Sequence, residues 1–234
     1  MIKRLQRLGV ILALFGLAFV VAGGYAFIKV QDGQKALNAF SAAQAVKLSY
    51  NDQGQLTSGG TTEEAAGIMS LLTNDWGYTI DKAEFNPADP TVNTASEYMF
   101  QMATISYHTL HSTQNITLTA DYTAADGTFY AAGTPIPFNV DGRYYSQFDR
   151  TDPVQAAARG LAWSPTALAL VGELGVGAAT VSSLQLGLGV AGALGGLGFV
   201  FFFAGLGLVW AVRPETAKVK AHALQPAFLP AILP

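Results

Sequence analysis

The stretch "GLGVAGALGGLGFVFFFAGLGLVW", Gly187–Trp210, carries two incompatible readings, and the choice between them decides the fold. Its first six residues, Gly187-Leu188-Gly189-Val190-Ala191-Gly192, match the G-x-G-x-x-G of a dinucleotide-binding turn. Such a turn needs a strand before the glycines, a helix after them and an acid about 20 residues on to hold a ribose. Here Ser182, Ser183, Leu184 and Gln185 come before, and no acid follows until Glu215. Nor does any basic residue follow before Arg213, so a buried pyrophosphate would have no counter-charge. The alternative is a membrane span. Residues 186–212 carry no charge at all, and Arg213, Lys218 and Lys220 follow directly. Trp210 stands one turn from that end, where an indole favours the headgroup boundary. The glycines therefore belong to a helix in lipid.

In lipid, helices associate by close backbone packing, because lipid tails are as apolar as leucine and burying apolar side chains against a partner gains little. Gly187, Ala191 and Gly195 recur at four-residue steps on one helical face, and Gly192 and Gly196 form a G-x-x-x-G beside it. The expected packing residues are these five together with Gly16 of a second apolar segment, which also offers Gly9, Ala13 and Ala22–Gly24.

That second segment, Leu8–Ile28, has no charge and would be about 31 Å long as a helix, which matches a hydrocarbon core of roughly 30 Å. Lys3, Arg4 and Arg7 precede it, so the positive-inside rule places its start in the cytoplasm. A cleaved signal peptide would share the basic start and the small-residue patch Ala22-Gly23-Gly24, but its apolar region is shorter, about 7–15 residues. The chain is expected to run as a cytoplasmic N-terminus (1–7), a transmembrane helix (8–29), an extracytoplasmic domain with stalk helices (30–184), a second transmembrane helix (185–212) and a cytoplasmic tail (213–234). Both ends face the cytoplasm and the whole sits in the plasma (inner) membrane.

Composition agrees with this layout. Half of the 234 residues are hydrophobic and 12% are charged, against about 25% in a soluble domain. All the acids but Glu215 lie between residues 30 and 185, where the bases are Lys35, Lys47, Lys82, Arg143, Arg150 and Arg159. An acidic middle argues against nucleic acid, which needs a basic face. There is no cysteine, which excludes disulfides, thiolate metal sites and iron–sulfur clusters.

The middle reads as an α+β domain with a small antiparallel sheet. Ala36, Leu37, Ala39, Phe40, Ala43 and Val46 keep a helical spacing, extending the first span outward. Thr61 with Glu64 and Thr94 with Glu97 fit capping boxes, opening helices to about Leu72 and His111. Asn115 to Tyr122 alternates as a strand, Asp126-Gly127 signals a hairpin, and Phe129 begins the return. Asp152-Pro153 and Ser164-Pro165 each place a cap before a proline at the first helical position, the second opening a helix that continues into the second span.

No constellation of catalytic residues stands out. His108 and His111, three apart on a helix, could share a metal, but no third ligand is fixed nearby, so neither metal nor cofactor is expected. Arg143, Arg150 and Arg159 with Asp141, Asp149 and Asp152 read as a structural ion-pair network. Trp76, Tyr78, Tyr144 and Tyr145 could form an aromatic pocket. Glu173 is the sole ionisable residue between Arg159 and Arg213 and is expected at the outer membrane boundary.

The basic start with Leu8–Ile28, and "FDRTDPVQAAARGLAW" (Phe148–Trp163) leading into "GELGVGAAT" and the glycine-rich span, resemble a loose group of uncharacterised two-span membrane proteins of high-GC Gram-positive bacteria. Members often carry the label of aromatic ring-opening dioxygenase. That label implies an iron centre with about three histidine or carboxylate ligands, for which the middle offers only His108 and His111 as histidines. The resemblance thus implies two spans and no transferable activity. The resulting expectation is a non-catalytic accessory subunit. Its spans would pack against lipid and against other subunits of a respiratory, photosynthetic or transport assembly, or against further copies of itself. A ligand-binding or sensor exodomain and a glycine-sealed homo-oligomer are the alternatives.

Overall fold

A computed structural model describes residues 2–223, with side chains described from Lys3 to Val212. All but the first three residues of the proline-rich tail Ala221–Pro234 lie outside the described residues, as do the side chains of Arg213, Lys218 and Lys220. Two helices dominate, α1 (Ile2–Gln44) and α5 (Pro165–Ala223), with α2 (Thr62–Ser70), α3 (Ala95–Leu110) and α4 (Pro153–Ala162) between them. The chain divides into two compact units, one of Met1–Lys35 with Leu184–Pro234, the other of Ala36–Ser183.

The first unit is an antiparallel helix pair. Both helices contain windows long and apolar enough to cross a membrane, and only 11% of each window is buried. Core helices of a globular domain would be mostly covered; these turn large apolar side chains outward, among them Leu14, Phe15, Val21, Val200, Phe203 and Trp210. What they bury against each other is mostly glycine. Gly9, Gly16 and Gly23 of α1 are buried at seven-residue intervals, and so are Ala191, Gly198, Gly205 and Val212 of α5. A methyl group on Gly23 would meet the Gly195 nitrogen at 2.7 Å, and one on Gly205 would meet the Ala13 nitrogen at 2.5 Å. One on Gly16 would overlap the Phe202 backbone. The main chains therefore touch with no side chain between them. A seven-residue repeat keeps such a seam aligned as two helices wind left-handedly around each other.

The second unit is built from short elements. α1 stops where Ala45 takes a left-handed φ of +54°, its N–H on the Ser41 carbonyl at 3.0 Å. Thr94 caps α3 by accepting the Glu97 N–H, and the Glu97 carboxylate returns to the cap's N–H, completing the capping box. Thr61 caps α2 likewise, but there Glu64 turns away to Ser58 and His108, and α2 runs into a π-helical turn, Leu71–Asp75. Asp152 accepts the Val154 and Gln155 N–H groups at the start of α4, with Pro153 at its first position.

The sheet region consists of three separate two-stranded antiparallel ladders. β1 (Ser49–Tyr50) pairs with β2 (Leu56–Thr57), β3 (Thr113–Thr117) with β6 (Pro135–Asn139), and β4 (Tyr122–Thr123) with β5 (Phe129–Tyr130). The strand expected from Asn115 to Tyr122 is thus broken in two. Leu118 gives its carbonyl to Gly133 and Asp121 accepts the Ala132 N–H, so the chain crosses from one ladder to the other there. β6 tolerates Pro135 and Pro137 because it is an edge strand and those positions need not donate. Ile116 and Ile136 face each other in register and enter a core with Leu110, Val140, Phe148 and Trp163, over which α4 packs. Fully burying each isoleucine contributes about 1.5–3 kcal/mol.

The helix pair yields a direct test. Phe19 and Phe201 lie with ring centroids 6.1 Å apart. Since the chain has no native cysteine, the double replacement Phe19→Cys with Phe201→Cys should crosslink on oxidation. Adding Gly16→Leu should cut that yield several-fold. Adding Gly24→Leu, where a methyl group meets nothing within 4 Å, should leave it unchanged.

Candidate functional site

Within the second unit a cavity of about 250 Å³ opens between the end of α1, α3 and the first turns of α5. Phe40, Ser41 and Gln44 come from α1, with Val46 just beyond it and Val92 from the loop before α3. Tyr98, Gln101 and Ile105 come from α3, and Leu170, Glu173 and Leu174 from α5. Mostly apolar walls with a few converging polar groups are the usual make-up of a small-molecule site.

The polar groups have a definite sense. Ser41 donates its only hydroxyl hydrogen to the Leu37 carbonyl at 3.0 Å. The 2.7 Å contact between Ser41 Oγ and the Tyr98 hydroxyl must then be a bond donated by Tyr98. This spends the phenol's hydrogen and leaves its oxygen as an acceptor. Both residues are buried. Gly177 makes the arrangement possible: a methyl group there would meet the Tyr98 ring at 2.7 Å, so the ring rests on bare backbone of α5. Glu173 lies in the same wall, exposed at its rim. It is the ionisable residue singled out in the sequence, and it lines a cavity.

The other groups named from sequence are used locally. His108 Nε2 contacts Glu64 Oε1, while His111 Nδ1 donates to the Tyr107 carbonyl at 2.8 Å, so the two imidazoles do not converge. Among the described residues no three histidine, aspartate or glutamate side chains gather to hold a metal. The expected arginine–aspartate network is replaced by other contacts. Arg143 donates to the Asn139 and Val140 carbonyls, and Arg159 lies 4.6 Å over the Tyr145 ring. Asp149 holds Thr151, and Asp152 caps α4. Trp76 donates to the Tyr144 hydroxyl at 2.7 Å, and Tyr144 stacks on Trp163. These aromatic groups pack on one another and do not line the cavity.

Of the expected packing residues, Gly16 lies in the α1–α5 seam, Ala191 is buried there, and the backbone of Gly195 abuts Gly23. Gly187 faces Val30. Gly192 and Gly196 lie outside that seam: a methyl group on either meets nothing within 4 Å. The seam follows a seven-residue spacing, which turns the four-residue pair Gly192 and Gly196 to the outside. The repeat Gly9, Gly16, Gly23 was the signal available in the sequence.

Glu97 is the buried charge nearest this region in the fold of α3. It is 1% exposed and accepts the Asn93 and Thr94 N–H groups, each at 3.0 Å. Burial pushes its carboxyl above the ordinary range, with those two N–H bonds opposing. Burial, with the Glu97 charge adding to it, raises the Tyr50 phenol too, whose hydroxyl has no partner among the described residues. A carboxyl with a raised folded-state pKa favours the fold most below its unfolded value of about 4.3 and loses that contribution as pH rises through the raised value. Glu97→Gln does not titrate. The melting midpoint of the variant minus that of the wild type should therefore grow as pH is raised from 4 toward 7; a constant difference would contradict the burial effect.

Comparison of the chain with family models, curated proteins and solved structures found no match.

Proposed function

We propose that the chain is an integral membrane protein of two spans, formed by the apolar parts of α1 and α5, with both termini in the cytoplasm and the acidic middle outside. Lys3, Arg4 and Arg7 at one end and Arg213, Lys218 and Lys220 at the other support that orientation. Its role is non-catalytic: an accessory subunit of the plasma membrane whose spans pack against those of a larger assembly.

One observation carries this reading. α5 bears small residues on two opposite faces. One is spent on α1. The other, with Gly189, Gly192, Gly196 and Gly207, has open space where each side chain would begin. Glycine inside a helix costs about 1 kcal/mol relative to alanine, and contact with lipid alone does not call for it. Close approach of a further helix does. The cavity beside Glu173 favours a second reading, a ligand-binding exodomain, and the two are compatible.

Two measurements test the proposal. With Ala125→Cys in the exposed β4–β5 turn, intact cells should react with a membrane-impermeant maleimide; with Lys3→Cys they should react only after permeabilisation. The reverse pattern inverts the topology and ends the proposal. Extraction in mild detergent should bring the chain out with other membrane subunits, and Gly192→Leu with Gly196→Leu should release it from them. Recovery as a lone monomer removes the accessory role, and a ring of identical chains replaces it with self-assembly.

A further inference from the structure

The cavity between α1, α3 and α5 has a chemical polarity that limits what it can hold. Its walls are chiefly apolar, with Phe40 and Ile105 among them. Among its described lining residues there is no lysine, arginine or histidine. The Tyr98 oxygen has given its hydrogen to Ser41 and can only accept. The Glu173 carboxylate is an acceptor, and no hydrogen bond or ion pair engages it among the described residues. The glutamine amide of Gln101 can serve either role. An occupant that satisfies these groups combines donors and positive charge with an apolar body.

We infer that this cavity is a binding site for a small primary amine, its ammonium group set against Glu173 and Tyr98 and its hydrocarbon body in the apolar part. Size narrows the class. At roughly 30 Å³ per water, the space equals about eight waters, which fits an aliphatic or aromatic amine of six to nine non-hydrogen atoms. A carboxylate ligand would meet the Glu173 charge with no cation to offset it. The ethanolamine head of a phospholipid offers the same ammonium, but carries a phosphate whose charge no cation among the described lining residues offsets. The structure thus favours a free amine over a lipid head. The site stands whether or not the spans join a larger assembly.

The test uses the full chain in phosphatidylcholine nanodiscs and three probes of equal length: hexylamine, hexanol and hexanoate. Binding is followed by calorimetry. The expected order of affinity is hexylamine, then hexanol, with hexanoate not binding. Glu173→Gln should bring hexylamine down to the level of hexanol, a loss of about fivefold for an ion pair at a solvent-exposed rim, and added salt should do the same to the wild type. Near-ultraviolet circular dichroism from Trp76 and Trp163 checks that the variant is folded. Equal affinities for the three probes, or hexylamine binding unmoved by Glu173→Gln in a folded protein, overturn the proposal. Discs containing phosphatidylethanolamine separate the two sources. Unchanged hexylamine affinity supports a free amine, whereas competition by that lipid overturns the free-amine assignment and makes the headgroup the occupant.

Discussion

Contact of main chain with main chain, with no side chain between, is the constraint on which the helix pair depends. At Gly9, Gly16 and Gly23 the surface of α1 is bare backbone, and at Gly198 and Gly205 so is that of α5. Dispersion between many closely approached atoms is individually small and collectively large, and it is available only if no methyl group intervenes at any of these levels. The arrangement of everything bulky follows. Leucine, valine and phenylalanine are displaced to the sides facing away, which produces two long helices whose surfaces are apolar nearly all round. In water such a surface would be a liability; in hydrocarbon it is the matching solvent.

The second unit is held by a different principle. Its ladders are too short to stand alone, two residues each in two cases, and a two-stranded ribbon is marginal even when longer. Caps and packing compensate. α4 lies over β3 and β6, Trp163 closes the end of α4 with its indole N–H on the Arg143 carbonyl at 3.0 Å, and Tyr144 stacks against it. The buried Glu97 carboxylate is tied to backbone, accepting the Asn93 and Thr94 N–H groups. Where charge could have been paired with charge, arginine was set on a carbonyl or an aromatic face, as with Arg143 and Arg159.

Local signals in the sequence carried far; those depending on distant partners did not. The extent of α1 past Ile28, the cap at Thr94 with its reciprocal Glu97, and the Asp152-Pro153 start all depend on neighbours within four residues, and each is visible in the string of letters. The β4–β5 turn at Asp126-Gly127 is of the same kind. By contrast, nothing near Asn115 specifies that its ladder partner is Pro137 rather than the strand beginning at Phe129. The cavity draws on segments around residues 41, 92, 98 and 173, so no window along the chain contains it. The helix seam lay between these cases. Its small residues were evident, but two periods, four and seven, coexist in α5. Only the neighbouring helix selects the one that faces inward.

The prolines of β6 have a bearing on the time before the fold is complete. A short strand at the border of a sheet, if its amides point outward unpaired, can capture the same strand of a sister molecule and seed aggregates. In β6, alternate positions, Pro135 and Pro137, have no amide hydrogen to offer. That border offers no amide at those positions to template another strand, even while newly made chains crowd together before the fold is complete.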